Sequence, residues 1–244
     1  MKVGYHLLTV VIYGYMLKFI GGVIVTLLLV VGGLAYMLVG TGPKDLGIKY
    51  TTDDSVAARK KIGGEIIPIT ADMNKKDFTL EGKLPVEFEM DSKEFSAQSA
   101  NRPWKNYPLK NLQIKFNDDG TIEGSATLII SKALPYAMGL GYSETQIREA
   151  MQKYNIPNFE VPFYVKGKGQ VINDKVTVAA QTVEIGKVSI PKDIVDQANI
   201  EAEKVLEDLI QKQSQSFHAE KVTFENGKIH FKGTIAEKQY VLTE

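Results

Sequence analysis

The sequence predicts an α+β fold: an N-terminal transmembrane helix, then a curved antiparallel sheet of hairpins packed against a long amphipathic helix. Three observations carry that expectation. Residues 19–39 run without a charge, three pairs of alternating segments flank tight-turn residues, and residues 191–212 repeat apolar side chains at helical spacing.

The run from Phe19 to Val39, FIGGVIVTLLLVVGGLAYMLV, would be about 31 Å long as a helix, enough to cross a ~30 Å hydrocarbon core. That length favours an uncleaved anchor over a cleaved leader, although the small residues Val39, Gly40, Thr41 and Gly42 would permit cleavage. The chain has no Cys, which excludes a lipid-modified cysteine anchor and leaves an oxidising compartment open. Lys18 separates the run from a shorter apolar stretch, residues 7–17. Met16-Leu17-Lys18 is itself a well-formed start, so residues 1–15 read as an interfacial extension or a mis-assigned beginning. The chain divides into residues 1–18, cytoplasmic or interfacial; residues 19–39, the span; residues 40–60, a membrane-proximal linker; and residues 61–244, an extracytoplasmic α+β domain. Basic residues lie on both sides of the span (Lys2 and Lys18 before; Lys44, Lys49, Arg59, Lys60 and Lys61 after), so they alone do not set orientation. Long domains translocate largely regardless of charge, and the expected topology is N-terminus inside, domain outside, in the cell membrane.

Charge excludes one class of partner. Two of the 29 basic residues and none of the 29 acidic ones fall within residues 1–42, leaving the rest near neutrality with interspersed signs. Nucleic-acid binding needs a basic stripe, and none is present.

Each element of the domain has a local cause. Lys83–Met90 (KLPVEFEM) alternates as a strand. Asp91 or Ser92 caps a short helix through Glu94 and Phe95 to Asn101. Leu112, Ile114 and Phe116 alternate, Asn117-Asp118-Asp119-Gly120 turns, and residues 121–128 return. Ser143-x-x-Gln146 fits a capping box opening a helix with Ile147, Met151 and Tyr154, ending before Pro157. Val161 to Ile172 pairs through Asn173-Asp174 with Lys175–Val178, and Gly167 and Gly169 imply a bulge that curves the sheet. Pro191 opens the long helix, where Ile194, Val195, Ala198, Ala202, Val205, Leu206, Leu209 and Ile210 share one face. The same pattern suits a core helix or a lid over a lipid groove. Val222 and Phe224, then Asn226-Gly227, then residues 228–235 form a last hairpin.

Catalytic patterns are missing. The three His (His6, His218, His230) lack metal-ligand spacing. Asn117 to Glu123 has only half the acids of a calcium loop. Ser125 lies mid-strand rather than on a strand-to-helix elbow. Gly167-Lys168-Gly169 lacks the rest of a phosphate loop, and Glu87 and Glu89 read as a solvated strand face. The expectation is a non-enzymatic protein with no cofactor and no metal.

Apolar residues in loop-like places carry the binding expectation. Pro103-Trp104-Lys105-Asn106-Tyr107-Pro108 sets the only Trp and a Tyr between prolines, and Ala133–Tyr142 is uncharged and punctuated by Gly. Both suit either the plugging of core ends or an adaptable apolar surface. The expected contacts for an amphiphile are Trp104, Tyr107, Tyr136, Met138, Leu140 and Met151.

Residues 43–51 (PKDLGIKYT) directly after the span, with residues 113–123, 161–167 and 183–191 (VEIGKVSIP), resemble a family of bacterial single-span membrane-anchored proteins of uncharacterised function. The order of curved strands, an Ile-Gly-x-Val-x-Ile-Pro lead into a long helix, and a final hairpin is similar to tubular lipid-binding (TULIP-like) envelope domains. That likeness implies architecture and transfers no binding residue. The functional expectation is a membrane-anchored domain that binds a lipid or other amphiphile between sheet and helix. The alternative is a protein–protein interaction or scaffold module of a cell-envelope or surface complex.

Overall fold

The computed structural model describes residues 42–70, 78–100, 102–139, 143–145 and 160–243. The anchor stretch Phe19–Val39 and residues 1–18 lie outside the described residues. Among those described, no helix is long and apolar enough to cross a membrane.

The elements are α1 (Thr52–Ile62), β1 (Glu65–Ile69), β2 (Phe78–Glu81), β3 (Leu84–Asp91), α2 (Ser92–Ala100), β4 (Leu109–Phe116), β5 (Ile122–Ile129), α3 (Ile130–Gly139), β6 (Glu160–Ile172), β7 (Lys175–Ile185), β8 (Val188–Ser189), α4 (Lys192–Lys212), β9 (His218–Glu225), β10 (Lys228–Ile235) and β11 (Lys238–Leu242). The fold is α+β with mostly antiparallel sheets, as the sequence predicts. All three expected hairpins form, β4–β5, β6–β7 and β9–β10. Asn173 and Asp174 (φ 48° and 64°) and Asn226 (φ 53°) take the positive φ that two-residue hairpin turns demand.

β6 organises the large sheet. Residues 160–167 pair with β5 on one edge, Val171 and Ile172 pair with β9, and residues 163–172 pair with β7 on the other edge. The β6–β7 register slips between Lys166 and Gly167. A Cβ at Gly167 would stand 2.5 Å from the Ala179 carbonyl oxygen, so only Gly permits this close crossing. The six-strand path β3-β10-β9-β6-β5-β4 curves until α2, which leaves β3, packs against β4.

α2 then satisfies the backbone edge of β4. Ser92 Oγ accepts the Phe116 N–H (2.9 Å); Ser96 Oγ accepts the Ile114 N–H (2.8 Å) and donates to the Ile114 carbonyl (3.0 Å). Asp91 caps α2, accepting from the Lys93 and Glu94 N–H groups, as expected from the sequence. Phe95 meets Phe116 edge-on at 5.2 Å.

The edge of β7 is treated the same way by α4. Asn199 Oδ1 accepts the Ala180 N–H (3.0 Å) and its Nδ2 donates to the Ala180 carbonyl (3.2 Å); Glu203 accepts from Val178 (2.9 Å) and Glu207 from Val176 (3.2 Å). The pitches match: four helical residues rise about 6.0 Å and two strand residues about 6.6–6.8 Å. Side chains four apart on a helix can therefore cap alternate N–H groups of an adjacent strand. The same helix buries Val195, Ala198, Ala202, Leu206 and Leu209, within the face read from the sequence.

Two readings need correction. Residues 52–60, expected as linker, are helical within α1. Thr51 and Asp54 form a capping box, and Ala58 and Ile62 are fully buried. Residues 42–50, though irregular, are docked: Leu46 and Ile48 N–H groups share Gln113 Oε1 (2.9 and 3.3 Å), Tyr50 donates to the Leu112 carbonyl (3.2 Å), and Lys44 Nζ lies 3.6 Å from the Tyr164 ring centroid and 3.3 Å from Glu184. Ala133–Tyr142, expected as loop-like, is helical as far as Gly139. Pro135 leaves the Ser131 carbonyl without its helical partner, but burial of Ile130 and Tyr136 holds the helix. The helix expected from Ser143 is seen at residues 144–145; Ile147, Met151 and Tyr154 lie outside the described residues. A small sheet, β1-β11-β2, was not foreseen; it pairs residues 65–69 with 238–242 in parallel.

Removing a cap should expose its cost. Ser96→Ala and Asn199→Leu are each expected to lower stability by about 1–3 kcal/mol, because each strands buried backbone groups. Urea midpoints would show it; unchanged midpoints would mean the edges need no caps.

Candidate functional site

The segment between α2 and β4 is held by its backbone. Lys105 N–H donates to the Leu242 carbonyl (2.8 Å), Tyr107 N–H to Trp104 (3.0 Å), and Ile129 N–H to Pro108 (2.7 Å). These bonds seat Trp104 and Tyr107 between the small sheet and α3. Trp104 stacks on Phe78 of β2 at 4.9 Å and meets Tyr136 of α3 at 4.7 Å, while Tyr107 meets Tyr136 edge-on at 6.2 Å. Arg102 Cζ lies 5.9 Å from the Tyr107 ring. Gly139 makes the approach of α3 possible, since a Cβ there would fall 2.7 Å from Trp104 Cζ2.

Three of the six expected contact residues, Trp104, Tyr107 and Tyr136, thus converge, and all three are buried. Met138, on the same helix, is 44% exposed. Leu140 and Met151 lie outside the described residues. The sequence reading missed Phe78, Arg102, Gln239 and Val241, which also line the cavity at the centre of this cluster. The only signal for Gln239 and Val241 is the alternation of KQYVL, which sets them on one face of β11.

The cavity is about 10 Å³. Trp104 Nε1, Tyr107 OH and Gln239 Oε1 are buried there with no hydrogen-bond partner among the described residues. Burial pushes the Tyr107 hydroxyl well above its ordinary pKa, and pushes Tyr136 up to about 12, against the lowering influence of Arg102. Both phenols are neutral at physiological pH.

Elsewhere the polar clusters serve the fold. Asp174 binds His218 Nδ1 (2.7 Å) through one carboxylate oxygen and the Ala219 N–H (2.7 Å) through the other, closing the β6–β7 turn onto β9. Asp119 holds Thr121 N–H and Oγ1 within the β4–β5 turn. Ser125 is buried and donates to the Phe163 carbonyl. His230 stands beside Glu89 (3.3 Å) on the side of β10 opposite the buried Ile229 and Phe231. Among the described residues no three His, Asp or Glu side chains gather to hold a metal.

No protein-family model matches the chain, and no curated protein or solved structure does either.

Two outcomes follow from the cluster. Gly139→Ala must displace a rigid, packed indole and should cost about 1–3 kcal/mol; because Trp104 is the only Trp, its emission will shift with it. Tyr136 titrates near 10 when unfolded and near 12 when folded. Its contribution is full below pH 10 and is lost as pH rises through 12, on the order of 2–3 kcal/mol. Urea midpoints of the native chain should therefore fall more steeply between pH 10 and 12 than those of Tyr136→Phe; parallel curves would contradict it.

Proposed function

We propose that this protein is a non-catalytic, single-pass membrane protein whose extracytoplasmic α+β domain works as a rigid protein–protein interaction module of a cell-envelope complex. The observation that carries the reading is the closed contact between α4 and the sheet. Asn199, Glu203 and Glu207 hydrogen-bond to the β7 backbone while the apolar face of α4 is buried beneath them. An amphiphile between helix and sheet would have to break those bonds, so a partner is better served by the outer surface. The capped edges of β4 and β7 also direct binding away from strand addition and toward side-chain surfaces.

The anchoring part rests on the uncharged run Phe19–Val39 and on the docked arm. Only Gly40 and Thr41 separate that run from Gly42, after which the chain is fastened to Tyr164, Glu184 and Gln113. Lys44, the first fastened residue, follows Val39 by five residue steps, about 18 Å at most, so a domain so attached stays within that reach of the bilayer.

The amphiphile reading keeps one support: Trp104, Tyr107 and Tyr136 do converge, and Met138 on α3 is exposed. Native mass spectrometry of the protein in mild detergent, with cross-linking in intact membranes, separates the two. The interaction reading expects no co-purifying lipid adduct on the folded domain and a discrete cross-linked species that Met138→Glu weakens without lowering stability. A stoichiometric adduct lost on Trp104→Phe would favour the amphiphile instead. A chain released from membranes by alkaline carbonate would remove the anchor.

A further inference from the structure

The cavity among the aromatic residues has a defined chemistry. Trp104 Nε1–H can only donate, Gln239 Oε1 can only accept, and the Tyr107 hydroxyl does either. All three line one cavity, none has a partner among the described residues, and Gln239 is 1% exposed. Buried polar atoms of native proteins are nearly always hydrogen-bonded, to protein or to ordered water.

We infer that this cavity is a built binding site for one neutral hydroxyl oxygen, filled by a single water that accepts from Trp104 Nε1–H and donates to Gln239 Oε1. Alternatives fail on charge or size. A cation would face the indole N–H and the Arg102 guanidinium, which also lines the cavity. An anion would be drawn by the Arg102 guanidinium but would leave Gln239 Oε1 facing lone pairs, and even a chloride is larger than the water-sized space. At about 10 Å³ the space matches the minimum of roughly 10–15 Å³ that admits one water, and larger molecules are excluded. The Tyr107 hydroxyl supplies the water's third contact, within the usual two to four. The bridge ties β11 to the segment before β4, adding a polar link to the Lys105–Leu242 backbone bond.

The single Trp makes the test direct. Full-length chain labelled with ¹⁵N-tryptophan, in detergent micelles, gives one indole N–H resonance from Trp104. The inference expects a cross-peak between that proton and water, with the sign of a long-lived bound molecule, lost in Gln239→Leu together with an upfield shift of the indole proton. Tyr107→Phe, which keeps the ring, is a second variant and should weaken the cross-peak. Absence of the cross-peak in the native chain, an indole contact to a protein acceptor in its place, or a cross-peak unchanged in both variants would overturn it.

Discussion

The structure depends on how its sheet edges are closed. A curved sheet that does not join into a barrel leaves rows of unpaired N–H and C=O groups, each costly if buried and a template for aggregation if exposed. Here helices supply the missing partners through side chains spaced four apart. Ser92 and Ser96 do this for β4; Asn199, Glu203 and Glu207 do it for β7. The device works because the rise of four helical residues nearly equals that of two strand residues. β3, at the far end of the path, relies instead on Pro85 and the charges of Glu87 and Glu89.

Edge closure sets where function can reside. With α4 bonded to β7 and α2 bonded to β4, these two helices are seated directly on the strands whose edges they close. The aromatic cluster lies away from α4, where the small sheet, α3 and the segment 102–108 meet. That cluster is held by stacked rings and by the backbone bonds of Lys105 and Tyr107.

Much of this was legible because it was local. Alternation around Asn-Gly and Asn-Asp turns located the three hairpins, and the 3.6-residue stripe after Pro191 located α4. The pairing of β1 with β11 was not legible, since it joins residues far apart in the chain and EIIPI carries a Pro that argues against a strand. α3 was obscured by Pro135 and its flanking Gly, and α1 by the turn-rich run ahead of it. Of the site, the aromatic residues were found by their unusual placement between prolines. Gln239 and Arg102 were missed because nothing in the sequence around a single Gln or Arg shows that the fold will bury it. Ser92 read as a helix cap, and Glu203 and Glu207 read simply as the polar face of a helix.

Native-state hydrogen exchange of the edge amides tests the central claim most directly. If helix side chains close the sheet, the amides of Ile114, Phe116, Val176, Val178 and Ala180 will exchange as slowly as those of interior strands, through global unfolding alone. Exchange at those five amides as fast as at exposed strand edges would contradict the account.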